Sequence, residues 1–145
     1  MSLFSSLDVS SSGMSAQRER AELLVENIAN ADTTRTAEGG PYRRKDAVFQ
    51  SDAAISPFSS VFTSQLDNQS TGVRVSDVVV DNSDGDRRYM PGHPDADKDG
   101  YVTFPKVNAA QDMVDLLGAS RGYQANVAAI GAVKDMIQRS IDLFR

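Results

Sequence analysis

Residues 116–144, LLGASRGYQANVAAIGAVKDMIQRSIDLF, carry the periodicity that decides the fold. Leu116, Ser120, Tyr123, Val127, Ile130, Lys134, Ile137, Ile141 and Phe144 step by four and three, which keeps them on one face of an α-helix, and seven of these nine are apolar. Upstream, Asn108 followed by Gln111 reads as a capping-box-like start, with Asp112 and Asp115 near the positive end of the helix dipole. The spacing predicts a helix of about 35 residues, on the order of 50 Å long at about 1.5 Å per residue. That is too long to fold into a compact ball of 145 residues.

The same segment contains Gly118, Gly122 and Gly131. Each costs roughly 0.8–1 kcal/mol against alanine in a helix interior. With Ala119, Ala125, Ala128, Ala129 and Ala132 they leave a smooth surface that a neighbouring backbone can approach closely. Such a helix is weak alone and is expected to be ordered by packing.

At the other end of the chain Leu7, Met14, Ala21 and Ile28 recur every seventh residue, with Leu24 and Val25 filling the intermediate turn. This is a coiled-coil-like stripe. Ser11, Ser12 and Gly13 read as the helix start, giving about 20 residues and roughly 30 Å of helix. Such a helix covers only part of the C-terminal seam, so other copies are expected to cover the rest. Periodicity leaves open whether those copies form a closed oligomer or an open polymer.

Between the helices the chain is polar and rich in turns. Arg44–Phe49, Val73–Val80, Arg87–Met90 and Tyr101–Phe104 read as short strands, punctuated by Asp84-Gly85 and Asp99-Gly100. A small antiparallel sheet is expected, with a long surface loop over Ser51–Thr71 that carries Phe58, Phe62 and Leu66. The fold is therefore mainly α with a small β region, organised as a helical segment 1–34, a β and turn region 35–106, and a helical segment 107–145.

Charge and composition narrow the function classes. The net charge of -5 repels phosphate backbones and anionic lipid, so neither nucleic acid nor a membrane surface is an expected partner. The absence of cysteine excludes disulfides, thiolate metal sites and cysteine nucleophiles. The residues from Met1 to Ser12 lack the basic start and apolar run of a Sec signal peptide, and no stretch reaches the roughly 18–20 apolar residues of a membrane span.

Chemistry-bearing motifs are few. Asp95-Ala96-Asp97-Lys98-Asp99-Gly100 matches the first half of an EF-hand loop, but Lys106 stands where a bidentate glutamate should close the oxygen cage. The preceding Pro91-Gly92-His93-Pro94 cannot form an incoming helix, so an acidic surface turn is the expected reading. His93, the single histidine, reads as a turn residue bonded to backbone. No cofactor, no metal site and no enzymatic activity are expected. Arg43-Arg44-Lys45 and Arg87-Arg88 read as solvated faces or as contacts to acidic turns of a neighbouring subunit. Lys134 either snorkels from the seam or pairs with a carboxylate across a subunit boundary.

Asn27-Ile28-Ala29-Asn30-Ala31-Asp32-Thr33-Thr34 resembles the signature that closes the N-terminal helix of flagellar rod and hook proteins. The continuation Arg35-Thr36 and Gly39-Gly40-Pro41-Tyr42-Arg43-Arg44-Lys45 is similar to the proximal rod subtype, as is Pro91-Gly92-His93-Pro94-Asp95-Ala96-Asp97 with the following Gly100-Tyr101-Val102, Pro105 and Asn108. Ser120-Arg121-Gly122-Tyr123-Gln124-Ala125-Asn126-Val127 resembles the family's C-terminal helix motif, with Gly122 where serine is common.

The resemblance implies a non-enzymatic structural subunit, exported through the flagellar type III apparatus, with ends that order on assembly. It implies terminal helices paired as an antiparallel coiled coil inside a helical tube that crosses the periplasm and carries torque toward the hook. The partners it implies are other copies and other rod proteins. The residues expected at the assembly interface are Leu7, Met14, Ala21, Leu24, Ile28, Asn30, Leu116, Tyr123, Val127, Ile130, Ile137, Ile141 and Phe144. The alternatives are a coiled-coil adaptor or export-associated protein forming a closed oligomer, and a calcium-responsive binding module.

Overall fold

The computed structural model describes residues 3–51 and 72–143. The elements run α1 (Leu3–Ala29), β1 (Lys45–Ser51), β2 (Val73–Val80), β3 (Asp86–Tyr89), β4 (Tyr101–Phe104) and α2 (Ala109–Leu143). Helix α2 has the expected 35 residues. Its cap is the expected one, with the Gln111 N–H donating to Asn108 Oδ1 at 3.2 Å. Apart from Ser51, the Ser51–Thr71 loop lies outside the described residues, as does Phe144.

The start expected for α1 at Ser11–Gly13 is wrong, because the helix runs straight through these residues and has 27 residues in all. Ser10 and Ser12 turn their hydroxyls back onto the carbonyls of Ser6 and Val9, which satisfies them without ending the helix. Ser12 Oγ also accepts the Val73 N–H at 3.1 Å. Gly13 sits in close approach to α2, since a Cβ there would lie 3.0 Å from the Asn126 side-chain amide.

The most extensive contact between elements is that of α1 with α2. Gly13 meets Asn126, Gln17 lies over Gly122, and Arg20 reaches Asp115 at 3.4 Å, so numbers fall along α2 as they rise along α1. The contact is made of small and polar residues. Ala16 and Ala119 are buried in it, and Asn126 bonds back to the Gly122 carbonyl.

The small antiparallel sheet divides into two ribbons of two strands each, β1 with β2 and β3 with β4. Lys45 pairs with Val80 and Ser51 with Val73, and a bulge falls between Val48 and Phe49. The first ribbon lies along α1, held at one end by Asn27 and at the other by Ser12. The lengths match: seven extended residues of β1 cover about 23 Å, and the helix from Ser12 to Asn27 about 22 Å.

Gly85 stands just before β3 at the open end of the second ribbon, beside the end of β4, where a Cβ would sit 2.1 Å from the Phe104 carbonyl oxygen. Its side chains pack by charge and ring: Tyr89 meets Tyr101 edge to face, Arg87 lies over Tyr101, and Arg88 over Phe104. Large buried apolar side chains are few, with Leu24, Tyr42, Val102 and Val133 the main ones. Many others, including Val78, Val79, Val80 and Leu117, stay in water.

Glycine substitutions should separate these roles. Gly85→Ala should destabilise the chain by about 1–3 kcal/mol, the range for forced overpacking. Gly118→Ala has open space around it and should stabilise the isolated chain by about 0.8–1 kcal/mol through helix propensity. Urea titrations followed by circular dichroism check both.

Candidate assembly interface

Asn27 ends the buried face of α1 and has no exposed surface, at 0%. Its Nδ2 donates to the Lys45 carbonyl at 2.8 Å, and its Oδ1 accepts the Lys45 N–H at 2.9 Å. The amide thus pairs with the first residue of β1 as a neighbouring strand would. Oδ1 also accepts the Tyr42 hydroxyl at 2.9 Å. Burial, with Glu26 and Asp112 nearby, pushes the Tyr42 hydroxyl up to about 12.

One residue before Lys45, the Arg44 guanidinium grips Asp112 Oδ1, with Nη2 at 2.9 Å and Nε at 3.3 Å. Asp112 lies in the first turn of α2 and is 1% exposed. Arg44 is held charged by this bond and by the nearby Asp46 and Asp115 carboxylates. Five residues therefore tie the end of α1, the start of β1 and the start of α2 into one junction: Asn27, Tyr42, Arg44, Lys45 and Asp112.

Of the basic clusters, Arg43, Arg87 and Arg88 stay exposed, as a solvated face requires, and Arg44 and Lys45 are half-buried; most of them also have partners within the chain. Arg43 bonds Asn82, Lys45 pairs with Glu26, and Arg87 pairs with Asp97 at 2.8 Å. Local carboxylates and rings meet these cations as soon as the two ribbons form.

The acidic turn is likewise spent within the fold. Asp97 Oδ1 accepts the N–H groups of Tyr101 and Asp99, which with Arg87 hold its carboxyl below the ordinary range. Asp95 turns away from the loop to accept the Thr34 hydroxyl at 2.8 Å and to face Arg35 at 3.6 Å. His93 Nδ1 accepts the Asp95 N–H, as expected of a turn histidine. Among the described residues no group of three His, Cys, Asp or Glu is arranged to hold a metal ion.

The residues expected at the interface divide by exposure. Leu24 is buried, and Leu7, Met14, Ala21, Ile28, Leu116, Ile130 and Ile137 are half-buried. Asn30 is half-buried too, but its amide is spent on the helix end, donating to the Glu26 carbonyl and accepting from Thr33. Tyr123, Val127 and Ile141 are exposed, Val127 at 47% and Ile141 at 57%. The face of α2 turned to α1 instead carries Asp112, Ala119, Gly122, Asn126 and Val133, about one residue away from the predicted row. Small size at Ala119 and Gly122, not apolar bulk, decides which face seats α1.

The chain matches two family models: residues 7–35 match "Flagella basal body rod protein", and residues 98–143 match "Flagellar basal body rod FlgEFG protein C-terminal". These segments hold most of α1 with Asn27, and all of α2 with Asp112. It is 40% identical to the flagellar basal-body rod protein FlgC of Borreliella burgdorferi, over 100% of this chain and 99% of that protein. Identity is 41% with FlgC of Bacillus subtilis, over 99% of each, and 36% with FlgC of Escherichia coli, over 99% of this chain and 98% of that one. The chain belongs to the FlgC family of flagellar basal-body rod proteins.

As a FlgC-family chain it is a structural subunit of the flagellar basal-body rod. No helix among the described residues is long and apolar enough to cross a membrane. Sequence reasoning quoted Asn27, Tyr42, Arg44 and Asp112 in motifs or as helix-start signals, but missed their junction. The signal that could have found it is an asparagine on the buried face of a helix, which needs partners for both amide atoms.

The Tyr42 hydroxyl predicts a pH dependence. Its folded-state value lies above the ordinary value of 10.0, so its contribution is fully present below about pH 10 and is lost as pH rises toward 12. Alkaline unfolding of the wild-type chain should therefore steepen across that window. Tyr42→Phe should be less stable at neutral pH, through loss of the Asn27 bond, but should decline less between pH 10 and 12. Circular dichroism against pH reads both effects.

Proposed function

We propose that this chain polymerises through its two long helices, paired as an antiparallel coiled coil, into the helical tube of the proximal rod that carries motor torque toward the hook. The observation that carries this reading is the apolar surface α2 leaves in water: Met113, Val114, Leu117, Val127, Met136 and Ile141 are all exposed. Apolar side chains exposed over several helical turns are a liability in a monomer and an asset in an assembly. Each large side chain fully buried on assembly contributes roughly 1.5–3 kcal/mol.

The role is mechanical and not enzymatic. The His93, Asp95 and Asp97 side chains are committed to backbone and to neighbouring residues. The partners are other copies, other rod proteins, and the flagellar type III export apparatus that delivers the chain. The small and polar contact of α1 with α2 supports a rod element, since the helices are joined by Arg20–Asp115 and the start of α2 is held to the segment before β1 by Arg44–Asp112, which together resist sliding.

Replacing Val127 and Ile141 together with serine tests this reading. Both side chains are exposed, so the isolated chain should keep its stability within about 0.5 kcal/mol. Motility and rod completion should be lost. A double variant that swims like the wild type contradicts the proposal.

A further inference from the structure

Asp112 meets only half of its hydrogen-bonding need. Both nitrogens of Arg44 converge on Oδ1, and Oδ2 is buried without a partner. An unpaired carboxylate oxygen in a buried position costs far more than one in water. Asp112 lines a cavity of about 300 Å³ together with Asp81, Asp86, Asn108, Arg44 and Lys106. Asp86 is exposed and makes no ion pair among the described residues, and Arg44 is already committed. Three carboxylates therefore face two cations, and the buried free acceptor belongs to a carboxylate. The cleft suits an incoming cationic donor and disfavours an anion.

A second residue has the opposite need. Met113, Ser120, Val127, Lys134 and Ile141 recur at sevens along α2, a row that stays on one face of the helix. Lys134 is the one charge in it, is exposed, and makes no hydrogen bond or ion pair among the described residues. If the row docks, an unpaired ammonium would be carried out of water, which is strongly destabilising without a carboxylate opposite. Lys134 cannot serve its own Asp112, which lies roughly 33 Å away along the same helix axis.

We infer that Lys134 of one copy of this chain enters the acidic cleft beside Asp112 and Asp86 of a second copy. This rests on the reading that the chain polymerises through its helices, and it names the register. A contact between two different patches is heterologous and propagates instead of closing on itself. A buried charge pair is also suited to fixing one register among the several that a smooth, alanine-rich helix face allows.

The chain contains no cysteine, so introduced ones report without background. The full chain carrying Asp86→Cys and Lys134→Cys, expressed in flagellated cells lacking the native copy, should give oxidation-dependent dimers in purified basal bodies, and neither single variant should. Separately, Asp86→Lys and Lys134→Glu should each lower the yield of completed rods at least tenfold, and together should restore it to within about threefold of wild type. A photo-cross-linking residue at position 127 reports whether the row touches another copy at all. If position 127 captures another copy while positions 86 and 134 do not cross-link, the register is wrong and polymerisation stands. If position 127 captures nothing, the polymerisation reading falls with it. Full assembly of either charge reversal alone overturns the proposal, as does failure of the paired reversal to restore rods.

Discussion

The architecture depends on satisfying one buried amide. Asn27 has no access to water, and all of its hydrogen bonds go to Lys45 and Tyr42. A buried polar group left unpaired costs about 1–3 kcal/mol, so the end of α1 is stable only where the start of β1 lies beside it. Arg44 then carries the constraint to Asp112 and the first turn of α2. Through residues 42–45 the ends of both helices and the first ribbon become conditional on one another. Such coupling suits a subunit that bears load, because the helix pair cannot shift without opening the junction.

The rest of the fold uses little apolar bulk. Glycine and alanine bring α1 and α2 close, the Arg20–Asp115 ion pair bridges them, and arginines over aromatic rings hold the second ribbon. Large apolar side chains are left exposed on several elements, with Phe4 and Val25 on α1, Val78, Val79 and Val80 on β2, and Leu117 and Ile141 on α2. The polar junction sets the shape of one chain, and in the proposed polymer the apolar surface is what contacts between chains would cover.

Much of this was legible in the residues. The 35-residue helix, its Asn108 cap and three of the four strands followed from period and turn chemistry to within a residue, because those signals are local. The start of α1 was misread because serine and glycine are ordinary helix-start signals. Here Ser12 bonds a strand and Gly13 admits Asn126, contacts visible only once the helices are placed. The row Leu116 to Ile141 was read as a single seam, yet only Leu116, Ile130 and Ile137 turn partly inward, while Tyr123, Val127 and Ile141 face water. An apolar count cannot tell a face that seats a neighbour by being small from one awaiting a partner by being greasy. For the basic clusters the sequence supports solvated faces, and Arg43, Arg87 and Arg88 are exposed, but it does not show which groups of the same chain stand opposite them.

The central claim is that the outer face of α2 is covered in the rod and bare in the free chain. Met113 and Met136 lie on that surface and are about half exposed, at 53% and 49%, which makes them built-in probes. Methionine oxidation by dilute peroxide, quantified by peptide mass spectrometry, should be compared between the purified chain and intact basal bodies. The account predicts fast oxidation of both in the free chain and at least tenfold protection in the basal body. Equal oxidation in the two states would contradict it.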